Sequence, residues 1–374
     1  VMALTNIRLG DYIERSTANN SDLKYGEELI TGVNSSGVFA PPKGSTLGVD
    51  LKPYKIVNNG AFVYNPTRLN LGSLAYRTEG LCIVSHLYMI FYLTEEGKKI
   101  IDPQWLYIYF HRDEFKREVT FRNFGSQRPE FNFKDLSNII VPLPDIDTQR
   151  KYAGIYNAMV SNQECYERGL DDLKLTLEAI IENYKHASIK RNVDSLLREV
   201  DYRNDKGIQE VMGINITKQF IPSVANVNGV DLKKYKIVND GQFAFSGMQT
   251  GRDKCIRIAL YNGQEPIIIS PAYTVLEPKD NSIIPEYIMM WFLRKEVDRL
   301  GWFMSDASIR TNLDMDRFYE IEIPVPSHEI QKSIVEIFHS YNERKEINEK
   351  LKAQIKDICP ILIKGSIKEA RKEA

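Results

Sequence analysis

GVDLKPYKIVNNGAF occupies residues 48–62, and GVDLKKYKIVNDGQF occupies residues 229–243. Twelve of the fifteen positions are identical. Leu51 and Gly60 return 181 residues later as Leu232 and Gly241. Phe110-His111-Arg112 returns 182 residues later as Phe292-Leu293-Arg294. At that same offset Arg128 faces Arg310, IIVPLP (139–144) faces IEIPVP (321–326), and Gln149 faces Gln331. An offset held over this distance marks an internal duplication, and its period is far longer than a solenoid repeat. Each copy is therefore expected to be a domain with an appendage.

The front of each copy reads as α+β. YKIV, then N-N-G or N-D-G, then AFVY or QFAF has the pattern of strand, tight turn, strand, which predicts a hairpin. Further strands are expected at 81–93 and 267–276. Short helices should follow at about 103–116 and 285–299, each opening at a proline suited to a first helical turn.

The back of the first copy has an unbroken 3-4-3-4 stripe: Tyr156, Met159, Gln163, Tyr166, Leu170, Leu173, Leu177, Ile180 and Tyr184. That is a coiled-coil seam. The second copy offers Ile330, Ile334, Phe338, Tyr341, Ile347, Leu351, Ile355, Ile358 and Leu362, with a break near Lys345. Each helix starts after P-x-P with a capping residue, Asp145 or Ser327. A helix of about 40 residues is about 60 Å long. Pro360 should kink or loosen the last turn of the second helix. The resulting plan has domains at 1–144 and 191–326, and long helices at 145–190 and 327–374. The fold class is α+β: two similar α/β domains separated by a pair of long antiparallel helices with a pseudo-twofold internal repeat.

Composition narrows the chemistry. The chain of 374 residues has room for two or three domains, and 43% hydrophobic with 26% charged residues is globular in character. Net charge is −1, so a nucleic-acid surface would need its Lys and Arg gathered on one face. No apolar run reaches membrane-spanning length, and VMALTNIRLGDYIERS lacks a secretion-signal layout, which points to the cytoplasm. Cys82, Cys165, Cys255 and Cys359 are scattered, and the histidines form no ligand array, so neither disulfides nor a metal site is expected.

Catalytic motifs are not found. Asp102-Pro103-Gln104-Trp105 approaches the base-holding loop of DNA amino-methyltransferases but lacks its second proline, and Asn65-Pro66-Thr67-Arg68 departs further. Asp102 reads instead as a helix cap. Neither a Walker loop nor a nucleophile elbow occurs.

A variable domain, P-x-P (VPLP, IPVP), a glutamine shortly after (Gln149, Gln331) and a heptad helix, all occurring twice, resemble the DNA specificity subunit of a Type I restriction–modification enzyme. The likeness covers essentially the whole chain. FVYNPTRLNLGSL (62–74) also resembles a segment such target-recognition domains carry after their first hairpin, whereas its second-copy counterpart SGMQTGRDKCI (246–256) departs from it. The resemblance implies a non-catalytic subunit that reads a bipartite double-stranded DNA target. Its helices would set the gap between half-sites and dock two methyltransferase (modification) subunits, an assembly that restriction subunits can join. It implies no cofactor on this chain, since S-adenosylmethionine and ATP/Mg belong to the partners. The recognition subunit of a Type IIB-like system remains an alternative reading. So does a free-standing DNA methyltransferase or nuclease with degenerate motifs, and so does a coiled-coil adaptor.

Base reading favours Arg on guanine and Asn or Gln on adenine, with Lys and Arg on phosphates. The candidates in the first copy are Arg68, Asn70, Arg77, Arg122, Asn123, Gln127 and Arg128. In the second they are Gln249, Arg252, Lys254, Ser308, Arg310 and Asn312. The matched pair Arg128 and Arg310 suits a shared role in phosphate binding or folding. Helix pairing and subunit docking fall to Tyr156, Met159, Tyr166, Leu170, Leu173, Leu177 and Ile180 on the first helix. On the second they fall to Ile334, Phe338, Tyr341, Leu351, Ile355 and Ile358.

Overall fold

The computed structural model describes residues 4–42, 44–122, 130–224, 229–306 and 311–372. They divide into two compact units, one of residues 1–167 with 347–374 and the other of residues 168–346. Most elements of one unit recur in the other in the same chain order; the short helix Glu95–Ile100 has no counterpart in the second.

In the first unit a four-stranded antiparallel sheet runs in the order Ile13–Ser16, Met89–Leu93, Phe62–Tyr64, Leu74–Tyr76. Strand alternation sends Phe62 and Tyr64 into a core shared with Trp105, Phe110 and Phe115, while Val63 packs with Val57 and Val84 on the opposite face. The sheet is thus covered by helices on one side and by the small pair Lys55–Val57 and Cys82–Val84 on the other. Thr5–Arg8 pairs with Ile140–Leu143, the strand leading into the first long helix.

The second unit repeats this plan. Its sheet order is Leu197–Val200, Thr274–Pro278, Phe243–Ser246, Arg257–Leu260, with Phe243 and Phe245 facing helices and Ala244 facing the other layer. Here the second layer is larger, with the order Phe220–Pro222, Val211–Ile214, Ile267–Ile269, Lys236–Val238, and Val211–Ile214 lies parallel to Ile267–Ile269. Ile189–Asn192 pairs with Glu322–Val325.

The expected hairpin is not one. Lys55–Val57 and Phe62–Tyr64 flank the N-N-G turn yet belong to different sheets, as do Lys236–Val238 and Phe243–Ser246. The turn is a corner between layers. Gly60, at φ +86°, donates its N–H to Arg77 O at 2.8 Å, and Gly241, at φ +76°, donates to Tyr261 O at 2.9 Å. Those bonds tie the corner to the strand's other neighbour, so it cannot close on itself.

The two short helical regions are each split. Pro103–His111 breaks at Arg112 before Asp113–Arg122, and Pro285–Phe292 breaks before Lys295–Met304. Asp102 caps the first, accepting from Trp105 N at 2.9 Å. At the breaks Arg112 lies over the Tyr109 ring and Arg294 over the Trp291 ring, a matched pair of cation–π contacts.

The long helices span Ile146–Ala187 and His328–Lys372. Asp145 caps the first, accepting from Asp147 N and Thr148 N at 3.0 Å each. Each helix gives one half to each unit. In the first unit Lys151 pairs with Glu369 and Glu167 with Lys352, both at 2.7 Å, so the halves run antiparallel. Ala153, Tyr156, Cys359, Leu362 and Ile363 complete that unit's core, and Trp105 Nε1 donates to Ser366 Oγ at 3.0 Å. In the second unit Leu177 joins Ile334 and Val335 in the core, with Ile180, Phe338 and Tyr341 packed against it.

The remaining seam residues Met159, Tyr166, Leu173, Leu351, Ile355 and Ile358 are half-buried, and Leu170 is buried. One detail differs from the sequence reading. Ile347 is 39% exposed while Asn348, at 3%, takes the seam position, because the stripe steps from Tyr341 to 348 through the break at Lys345. Pro360 lies inside the helix, which continues past it to Lys372.

Candidate nucleic-acid interface

In the first unit the residues after Tyr64 form a compact turn. Asn65 Oδ1 accepts from Thr67 N at 3.0 Å, and a single helical turn, Leu69–Leu71, ends at Gly72 with φ +93°. A Cβ on Gly72 would lie 2.7 Å from Ser35 O, so the site demands glycine twice over. This turn packs on Asp113–Arg122, and between them opens a cleft of about 570 Å³ lined by Asn70, Asp113, Lys116, Arg117, Thr120 and Phe121.

Arg68 is exposed beside Asn70. Arg122 ends the same helix, donating to Glu118 Oε1 at 2.7 Å. Arg77 lies apart from them in role: its guanidinium is over the Phe39 ring and donates to Leu81 O at 3.4 Å, and its backbone holds the corner at Gly60. These contacts hold Arg77 against its own module. Asn123, Gln127 and Arg128 lie outside the described residues, as do Ser308 and Arg310 in the second unit.

The second unit brings its candidates together more tightly. Gln249 and Lys254 bracket the short helix Thr250–Asp253, both with positive φ. Asn312 Oδ1 accepts from Gln249 N at 3.1 Å, and Gly251 N donates to Thr311 O at 3.0 Å. A Cβ on Gly247 would fall 1.8 Å from Leu313 O, so the close approach of these two segments needs glycine there. Arg252 reaches Gln249 Oε1 at 2.6 Å and Asp253 Oδ1 at 3.1 Å, with most of its side chain in solvent. Lys254 lies over the Trp302 ring, 5.1 Å from its centroid.

Beneath them Arg257 pairs with Asp253. Burial pushes the Asp253 carboxyl up, but hydrogen bonds from Arg257 and Arg252 outweigh it and hold the group below the usual carboxylate range. The arrangement offers exposed Arg252 and Lys254 on a frame that the half-buried Gln249 and Asn312 hold by hydrogen bonds. These are the types that donate to phosphates and base edges.

Sequence reasoning missed Lys116 and Arg117, because the helix break at Arg112 was not foreseen. It also missed Trp302 and the half-buried pair Asp253–Arg257. Among the described residues no group of His, Cys, Asp and Glu converges to hold a metal, and no helix is long and apolar enough to cross a membrane.

The Type I restriction modification DNA specificity domain matches this chain twice, over residues 6–166 and 196–357. The chain belongs to that family. Each match spans one front module and the start of a long helix, the same repeat that the 181–182-residue offset marks. The Type I restriction enzyme HindI specificity subunit of Haemophilus influenzae is 19% identical over 144 residues, 38% of this chain and 31% of that protein. The matched stretch thus spans about a third of that curated relative. The crystal structure of a Type-I restriction-modification system S subunit from M. genitalium is similar over 97% of this chain and 96% of that one, at 12% identity and a TM-score of 0.58. The specificity-subunit fold is therefore shared across the whole chain. The HsdS subunit from Thermoanaerobacter tengcongensis is 13% identical over 98% of this chain and 96% of that chain, with a TM-score of 0.44.

Proposed function

We propose that this member of the specificity family is a non-catalytic DNA-reading subunit that recognises a bipartite double-stranded target. Residues 1–144 and 191–326 are its target-recognition domains, and residues 145–190 and 327–374 its spacer helices. The helices also dock two methyltransferase subunits, and restriction subunits join that assembly. S-adenosylmethionine, ATP and Mg stay with those partners.

One observation carries this reading. Two modules of one design each hold a polar loop, Arg68–Asn70 and Gln249–Lys254, on the same connection between two antiparallel strands, while the loops differ in sequence. A shared frame with different loops is what two half-sites of different sequence require. Exposed Arg68, Arg122, Arg252 and Lys254 and half-buried Asn70 are the contacts proposed, with Gln249 and Asn312 shaping the second loop. Asn123, Gln127, Arg128, Ser308 and Arg310 are proposed as further contacts on the sequence alone.

Selection of randomised duplex DNA by the full chain together with its methyltransferase partner tests the reading. The expected outcome is two short motifs at one fixed separation, with no methyl transfer or cleavage by the chain alone. Enrichment of a single continuous motif, or catalysis without a partner, would overturn it.

A further inference from the structure

We infer that Phe121 and Phe303 are a matched pair of apolar DNA contacts, one in each module, that add affinity without reading sequence; this rests on the DNA-binding function proposed above. The two residues are 182 apart, the offset of the duplication itself. Each lies at the end of the equivalent helix, Asp113–Arg122 or Lys295–Met304. Each is among the most exposed large apolar residues of the chain, at 82% and 86%. A phenylalanine left in water at one place is unremarked surface, but the same exposure at the same position of two diverged modules needs a partner common to both.

The surroundings say which partner. Phe121 lines the cleft that also holds Asn70, Lys116 and Arg117. Phe303 follows Trp302, whose ring carries Lys254, on a helix packed against the Arg252 loop. Phe121 therefore adjoins cationic and amide groups in the first module's cleft, and Phe303 follows the ring that carries Lys254 in the second. In a duplex, an exposed ring beside such groups packs along the groove or wedges between base steps, contacts that match no donor–acceptor pattern on the base edges. A docking surface for the methyltransferase is the competing occupant, and the loops beside these rings argue against it. Each presents charged and amide groups with one exposed apolar side chain, Leu71 or Met248, rather than a continuous apolar rim.

Full-length Phe121→Ala, Phe303→Ala and the Trp variants at both positions are compared with the unaltered chain for duplex binding over a range of salt. Assembly with the methyltransferase is followed by size exclusion. Alanine is expected to weaken binding about ten-fold on target and non-target duplexes alike, with Trp restoring it. The slope of log affinity against log salt should not change, because an apolar contact releases no counterions. Alanine variants that bind DNA as the unaltered chain does but lose the methyltransferase would overturn the inference in favour of a protein contact. Unaltered affinity and assembly would overturn it outright. Failure of the unaltered chain to bind any duplex would sink the DNA-reading function itself, a distinct result.

Discussion

Gln149 and Gln331 make the same three hydrogen bonds in their two modules. Gln149 Nε2 donates to Ile100 O at 2.8 Å and Pro144 O at 2.7 Å, and its Oε1 accepts from Asp102 N at 2.9 Å. Gln331 does likewise with Ser282 O at 3.1 Å, Pro326 O at 3.0 Å and Ile284 N at 3.0 Å. Both side chains are fully buried. Only an amide both donates twice and accepts here, so the residue pins the start of each long helix to the segment that opens the module's first short helix.

Replacing Gln149 by Ala strands one backbone N–H and two carbonyls away from water. A loss of about 3 kcal/mol in the first module is expected. Hydrogen-exchange mass spectrometry should show faster exchange across 100–106 only, and Gln331→Ala should do the same across 282–288. Exchange rates that do not change would refute the joint.

Gln163 and Asn348 meet in the seam, Nε2 donating to Oδ1 at 3.0 Å, and Gln163 Nε2 also reaches Glu167 Oε2 at 2.9 Å. A buried polar pair in an apolar stripe fixes register at some cost in stability. Asn348→Leu alone should destabilise by about 1–2 kcal/mol, and Gln163→Leu with Asn348→Leu should recover that or exceed it. Denaturant midpoints of the singles and the double measure the coupling. Additive single losses would mean the two amides act independently.

Arg252 and Arg257 share Asp253 but are not equivalent. Arg252 is exposed, whereas Arg257 is half-buried beneath the loop. Arg257→Ala should unsettle the loop and lower the second module's stability by about 1–3 kcal/mol, since Asp253 loses its closest partner. Arg252→Ala should leave stability within about 0.5 kcal/mol while weakening or altering DNA selection. Melting curves paired with duplex binding separate the two, and a reversed pattern would overturn the assignment.

His111 supplies a pH dependence. Its Nδ1 is 2.8 Å from Tyr107 O, and Nε2 is buried against Gly37, where an added Cβ would lie 1.8 Å away. Burial drives its pKa down from 6.5 to about 4. The unfolded chain takes up a proton first, so this contribution is intact above pH 6.5 and is lost as pH falls to about 4. The total is about 3 kcal/mol, at about 1.4 kcal/mol per pH unit. Urea unfolding at several pH values should show a steeper acid loss in the unaltered chain than in His111→Gln. Parallel curves would contradict it.

The repeat, the strands around the Asn-x-Gly turns and within 81–93 and 267–276, and the heptad stripes were legible in the sequence because alternation, spacing and caps are written along the chain. Strands follow alternation, and helix faces follow a 3-4 spacing with a cap such as Asp145. Duplication supplied the matching of Gln149 with Gln331, and it already contained Phe121 and Phe303 for a reader who carried the offset through to exposed positions.

Other features depend on partners distant in sequence. Asn-Asn-Gly is compatible with a hairpin or a corner, and the corner wins because Gly60 finds Arg77 and Gly241 finds Tyr261. The stripes on the long helices could have closed only on each other. Instead Ser366 caps the Trp105 indole 261 residues away, and Cys359 and Leu362 fill the core of the first module. Local propensity sets which residues are helical and which face is apolar. Which apolar surface covers that face is decided only when the whole chain packs, because burial is non-directional and many pairings satisfy it equally until shape and hydrogen bonds choose one.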